Sequence, residues 1–287
     1  MNIGWIGTGV MGRSMAGHLL AAGHRIHVYT RTRAKAEELL SLGATWHETP
    51  ASLAPACDVV VTMVGYPSDV EEIYLDEGGL VANGKAGATF IDMTTSSPAL
   101  ARRIHAAAAA RGVEALDAPV SGGDIGAREA RLSIMVGGSK AAFDAMKPAV
   151  FDVLGKNVVL QGGPGAGQHT KMCNQIAIAS GMIGVCEALA YAKEAGLDPN
   201  AVLSSIESGA AGSWSLSNLG PRIIAGNFEP GFYVKHFIKD MKIALESAEE
   251  MGLELPGLVL ARSLYERLSD MGFEDKGTQA LFRLYER

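Results

Sequence analysis

The strongest constraint on this chain lies at its start. The apolar run Asn2 to Ile6 leads into Gly7-Thr8-Gly9-Val10-Met11-Gly12, and a helical pattern follows from Gly12 to Ala22, closed by Gly23. A strand that turns through G-x-G-x-x-G into a helix gives weight to a pattern that is weak when bare. Gly7 suits the tight turn, Gly9 a close approach by a pyrophosphate, and Gly12 tight packing of helix on strand. Val10 and Met11, between the glycines, are candidate cofactor contacts, and the start of the helix that follows offers free N–H groups and the positive end of its dipole to a phosphate. A glycine-rich turn with no ligand is the plainer alternative.

The first half continues in the same rhythm. Strands are expected at Arg25 to Tyr29, Val59 to Val64, Thr89 to Met93 and Glu114 to Asp117, with a helix at Ala34 to Leu42. Near-continuous apolar runs suit strands buried on both faces of a parallel sheet. Strands alternating with helices imply a doubly wound α/β sheet of Rossmann type. Arg131 to Val136 and Asn157 to Leu160 read as closing strands. Beyond the glycine-rich stretch from Gly162 to Gly167 only helical patterns remain: Gln168 to Ala195, Pro199 to Ser208, Ser215 to Ala225, Val234 to Met251, Gly257 to Met271 and Lys276 to Tyr285. The expected organisation is a dinucleotide-binding α/β domain over residues 1–161 and an all-α substrate or oligomerisation domain over 162–287.

Composition narrows the function. A chain of 287 residues matches about two domains of roughly 150 residues. Hydrophobic residues make up 48% and charged residues 20%, a globular balance rather than a disordered one. The net charge is -6 and no basic run stands out, which argues against nucleic acid. Cys57, Cys173 and Cys186 form neither a disulfide framework nor a zinc pattern and are expected to be buried free thiols. The start lacks the pattern of a signal peptide. Apolar runs such as Val59 to Val64 fall short of the ~20 residues of a membrane span. A cytoplasmic location is expected. No H-x-x-x-H or His/carboxylate cluster suggests a metal, and His169 and His236 read as structural or supporting groups.

Six further stretches carry chemistry. The second strand ends in Thr30-Arg31-Thr32-Arg33, with Lys35 close behind, where an NAD site usually has an acidic residue for the ribose. Arg31 with Thr30 and Thr32 favours the 2′-phosphate of NADP; a solvated basic turn leaves NAD open. Loops after parallel strands face the ligand, so Val64 and Thr95 are candidate cofactor contacts, although Thr95 is equally suited to capping the helix near Pro98. In Asp117-Ala118-Pro119-Val120-Ser121-Gly122-Gly123, the Ser121 hydroxyl and the Gly122 and Gly123 amides can form a nest for a carboxylate, or a plain turn. Lys171, Asn174 and Gln175 share one face of the long helix. Lys171 is a candidate proton-transfer group if desolvated, or an ordinary surface lysine. Lys239 and Asp240 follow on a later helix, where a solvated charged face is the simpler expectation.

Taken together and in this order, Gly7 to Gly12, Asp117 to Gly123, Gly165 through Lys171 to Gln175, and Lys239-Asp240 resemble the β-hydroxyacid dehydrogenase family, which includes 3-hydroxyisobutyrate dehydrogenase and tartronate semialdehyde reductase. The resemblance spans nearly the whole chain. It implies that Lys171 is the catalytic lysine, that Ser121, Gly122 and Gly123 hold the substrate carboxylate, and that Thr95 and Lys239 contact the cofactor. Asn174 and Gln175 stand in place of an Asn-Asn pair found in some members; Gln at 175 favours a tartronate-semialdehyde-like site. Gly123 departs from the glyoxylate and succinic semialdehyde reductase branch, which usually has Thr or Ser there. Gly212-Ser213-Trp214 is expected near the substrate. An imine reductase on the same fold, generally with Asp or Tyr where Lys171 stands, and a non-catalytic dinucleotide-binding module are the alternatives. A 6-phosphogluconate-type dehydrogenase would be longer. The apolar helix from Gln168 to Ala195 suggests a partner surface, and the family forms homodimers and homotetramers.

Overall fold

A computed structural model describes residues 1–286. The chain divides into two compact units, Met1–Lys171 and Met172–Arg287. That division falls inside the long helix rather than ahead of it.

The first unit is built on a nine-stranded sheet. Its strands are β1 (Asn2–Ile6), β2 (Arg25–Tyr29), β3 (Thr45–Trp46), β4 (Val59–Thr62), β5 (Thr89–Asp92), β6 (Glu114–Asp117), β7 (Val120–Ser121), β8 (Leu132–Gly137) and β9 (Gly155–Gly162). The order is β3-β2-β1-β4-β5-β6-β8-β7, with β9 paired to β8. Strands β1 to β6 pair in parallel, while β8 runs antiparallel to β6 and β7 and parallel to β9. Residues alternate across the sheet because the strand period is two. Ile3, Trp5, Val59, Val61 and Ile91 join the core on one face, and Ile6, Val60 and Phe90 that on the other. Every residue of β4 and β5 is buried, as expected for a sheet covered by helices on both sides.

The two-residue strands β3 and β7 escape the sequence pattern because they are too short to show a period. The expected helix at Ala34 to Leu42 is split, 3₁₀ over Arg33–Ala36 and α over Glu37–Ser41.

The second unit, together with the end of the first, is helical: Ala166–Glu194, Pro199–Ile206, Trp214–Ile224, Val234–Glu250 and Pro256–Leu268. The tail Thr278–Tyr285 is 3₁₀ rather than α. Met172, Ala179, Met182, Cys186 and Leu189 turn one stripe of the long helix into the core of the second unit, at the i, i+3, i+4 spacing of a buried face. One expectation needs correction: Cys173 is exposed, one position off that stripe, while Cys57 and Cys186 are buried. By length and composition the long helix is also apolar enough to cross a membrane, a test that the core helix of a soluble protein passes as well.

Candidate active site

The glycine-rich loop has the shape its sequence predicts. Gly7 takes φ 98°, in the left-handed region that suits glycine. A Cβ at Gly12 would lie 2.1 Å from the Gly7 carbonyl oxygen, so only glycine permits this contact of helix on loop. At Gly9 the situation is reversed: a Cβ would meet nothing within 4 Å. Gly9 caps the helix Val10–Ala21 without a side-chain hydrogen bond, and the neighbouring Val10 is exposed. Thr8 is buried, yet among the described residues its Oγ1 has no hydrogen-bond partner. Open space above Gly9, an uncapped helix start and an orphaned hydroxyl fit a bound pyrophosphate. The buried Trp5, which sequence reasoning passed over, donates its indole N–H to the Gly7 carbonyl at 2.8 Å and so fixes the turn.

At the end of β2, Thr30 is half-buried while Arg31, Thr32 and Arg33 are exposed. Arg31 forms an ion pair with Asp69 at 3.1 Å. Arg33 pairs with Glu37 and Glu48 and lies over the Trp46 ring at 5.2 Å. The basic cluster is therefore balanced by carboxylates, Glu37 close by in the chain and Glu48 and Asp69 farther away.

Beyond β4 and β5 the two candidate loops are tied together. The Val64 amide donates to Thr94 Oγ1 at 3.0 Å. Asp92, at the end of β5, accepts hydrogen bonds from Thr62 Oγ1 at 2.8 Å and from the Thr94 amide at 3.0 Å. Burial pushes the Asp92 carboxyl up to about 6, against the opposing pull of those bonds. Thr95 does not cap the following helix. Ser97 does, accepting from the Leu100 amide.

The Asp117 to Gly123 stretch forms more than a turn. Asp117 accepts from the Gly165 amide with one oxygen and from the Gln168 amide with the other, each at 2.8 Å. Burial raises its carboxyl as well, again opposed by these bonds. It thereby anchors the start of the helix Ala166–Glu194, where a carboxylate suits the dipole. Ser121 ends β7, and Gly122 and Gly123 follow with φ of 130° and 63°, conformations a side chain would resist. Ser121 and Gly123 are half-exposed and Gly122 is exposed.

Lys171 is not a surface lysine. It is 7% exposed, and its Nζ donates to the Val120 carbonyl at 2.9 Å, the residue next to Ser121. In the second unit, Asn174 donates to Gln175 Oε1 at 2.7 Å and Gln175 to Asp240 Oδ2 at 2.6 Å. Lys239 pairs with the other Asp240 oxygen at 3.1 Å. With Gln175 and Asp240 buried and the Lys239 side chain 13% exposed, this is an interior polar chain and not the solvated face its composition suggests. Burial and the Lys239 charge hold the His236 imidazole below its ordinary value, and His169 meets Arg102 at 3.3 Å. Trp214 is exposed at the start of its helix. Among the described residues no cluster of three or more His, Cys, Asp or Glu is placed to hold a metal.

Comparison with known proteins agrees with this geometry. Residues 2–163 match the family model described as the NAD binding domain of 6-phosphogluconate dehydrogenase. Residues 165–285 match that described as NAD-binding of NADP-dependent 3-hydroxyisobutyrate dehydrogenase. The chain is 61% identical to an uncharacterized oxidoreductase of Bacillus subtilis, over 99% of this chain and 98% of that one. It is 41% identical to the 2-hydroxy-3-oxopropionate reductase of Escherichia coli, over 100% and 97%. A solved 3-hydroxyisobutyrate dehydrogenase from Mycobacterium tuberculosis with L-serine superimposes at TM-score 0.92, 28% identical, covering 100% of this chain and 99% of that one. A Streptomyces aurantiacus imine reductase, at 21% identity and TM-score 0.67, shares the fold alone.

Proposed function

This chain belongs to the β-hydroxyacid dehydrogenase family as an NAD(P)-dependent enzyme, and on that premise we propose that it interconverts a small β-hydroxyacid and its semialdehyde, with Lys171 as the proton donor and acceptor. The observation that carries the reading is the buried Lys171 ammonium bonded to Val120, directly before Ser121-Gly122-Gly123. Burying a lysine is costly unless it is put to use or well paired.

A nicotinamide held there would supply hydride chemistry at the carbon bearing the oxygen. Ser121 and the amides of Gly122 and Gly123 hold the substrate carboxylate, which fixes its orientation. Lys171 donates a proton to the carbonyl oxygen in reduction and accepts the hydroxyl proton in oxidation. Gly7, Gly9 and Gly12, with Val10 and Met11, bind the dinucleotide, and Val64 and Thr95 add contacts from the neighbouring loops. The family resemblance assigns Asn174 and Gln175 to the substrate and Lys239 to the cofactor. Arg31, Thr30 and Thr32 favour the 2′-phosphate of NADP over NAD, moderated by Asp69. Among substrates, 3-hydroxyisobutyrate and 2-hydroxy-3-oxopropionate (tartronate semialdehyde), each named in a relative or a family model, come first.

The test is a panel followed by nicotinamide absorbance: NADPH or NADH with small semialdehydes and glyoxylate, NADP or NAD with 3-hydroxyisobutyrate, 3-hydroxypropionate and glycerate. Turnover of a carboxylate-bearing substrate is expected. Reduction of imines with no hydroxyacid turned over would overturn the reading.

A second copy of the chain is the proposed cover for the exposed side of the long helix, where Cys173, Ala177, Gly181, Gly184 and Tyr191 are exposed. Light scattering at micromolar concentration should give a homodimer or homotetramer; a monomer contradicts this.

A further inference from the structure

We propose that Gln168 is a positioning residue that couples the loop carrying Thr95 to the helical turn carrying Lys171. Its side chain is fully buried and both of its polar atoms are engaged. Oε1 accepts the Ser96 amide at 2.9 Å, and Nε2 donates to the Thr94 carbonyl at 2.8 Å. The amide group thus grips the backbone on both sides of Thr95, as an adjacent strand would.

The same residue is held from below. Its own backbone N–H donates to Asp117 at 2.8 Å, and Asp117 pairs in register with Asp92 on the neighbouring strand. One helical turn therefore makes three hydrogen bonds to the ends of two adjacent strands. Lys171 stands one turn further along that helix and bonds to Val120, three residues past Asp117. A shift of the Thr94–Ser96 backbone has a direct route through the Gln168 amide to the lysine. Leucine or methionine would fill this place at lower desolvation cost. A buried amide with both ends satisfied specifies one arrangement of loop against helix.

The inference rests on the functional reading above only in naming Lys171 as the proton-transfer group. Its test therefore has a readout that needs no turnover. Reductive methylation of Lys171, quantified by peptide mass spectrometry with and without NADPH, reports whether cofactor binding reaches the lysine. In the wild-type chain NADPH is expected to change the labelling rate several-fold. In Gln168→Met that ratio should fall towards one, while the NADPH Kd changes by less than about threefold, because Asp92, Ser97 and the Val64–Thr94 bond still hold the loop. Gln168→Glu keeps the shape and the acceptor for Ser96 but loses the donor to Thr94, and should be intermediate. On an active substrate, kcat should fall about 10–100-fold in Gln168→Met, the scale of a small misplacement.

A labelling ratio in Gln168→Met or Gln168→Glu equal to that of the wild type overturns the proposal. So does a wild-type ratio of one. Equal loss of NADPH binding and melting temperature in both variants would show a structural role instead, and also overturns it. If Lys171→Ala keeps its turnover, the functional reading fails while the labelling ratio still decides the coupling.

Discussion

The Lys171 ammonium lies 2.9 Å from the carbonyl oxygen of Val120, so the buried lysine and the start of the Ser121-Gly122-Gly123 loop are held in one frame. A carbonyl is a neutral acceptor. It orients the ammonium beside that loop. Lys171→Ala should still bind cofactor, since the glycine loop is untouched, but should lose about 10²–10⁴-fold in kcat. Steady-state rates beside a cofactor fluorescence titration check both halves. Near-normal turnover removes Lys171 from the mechanism.

Gly9 and Gly12 stand three residues apart and predict opposite failures. A Cβ at Gly9 points into open space, so Gly9→Ala should fold, losing about 1 kcal/mol or less at the helix cap. It should weaken NAD(P) binding at least about tenfold, because the pyrophosphate would pass over that atom. A Cβ at Gly12 meets the Gly7 carbonyl, so Gly12→Ala should cost about 3 kcal/mol in stability. Thermal melts with cofactor titrations separate the two. A Gly9→Ala chain that binds cofactor normally would place the dinucleotide elsewhere.

Cofactor choice turns on Arg31 and Asp69. The arginine is exposed and already has a carboxylate partner at 3.1 Å, so a 2′-phosphate must compete with that pair in a screened setting. Arg31→Ala should lower kcat/KM for NADP by about tenfold and leave that for NAD nearly unchanged. Asp69→Asn keeps an oxygen for the Tyr66 amide and should move the ratio towards NADP. If neither substitution moves the NADP-to-NAD ratio, Arg31 does not read the phosphate.

The α/β-then-helical order and the sheet could be read from the sequence because β-branched runs, helix periods and closing glycines are local signals. The Gly7–Gly12 loop was legible for the same reason. What stayed hidden depends on residues distant in the chain. Val120 is 51 positions from the lysine it receives, and Asp69, on the helix Pro67–Leu75, is far along the chain from Arg31 in the loop after β2. Whether Lys239 is solvated or interior is decided by Asp240 and by Gln175, which lies 65 positions from Asp240. Cys173 shows the other limit: composition makes a cysteine apolar, but its helix angle, one step from the buried Met172, decides what it faces.

Asp92 gives the protein a predictable dependence on pH. Burial is the largest cause of its raised value, about 6 against 3.8, so the folded chain holds this proton more tightly than the unfolded chain. Between those two values the unfolded state has lost the proton and the folded state has not, and stability falls as pH rises. The contribution is full below 3.8, declines up to about 6 and is flat above. A shift of that size corresponds to roughly 3 kcal/mol. Asn is nearly the same shape, keeps an oxygen for Thr62 and Thr94, and carries no charge. Asp92→Asn should therefore be more stable than the wild type at pH 8, by up to about 3 kcal/mol, and the difference should shrink towards zero near pH 4 (denaturant melts at several pH values measure it). A gap that stays constant across that range would mean that Asp92 does not titrate there, and that its hydrogen bonds hold the carboxylate ionised throughout.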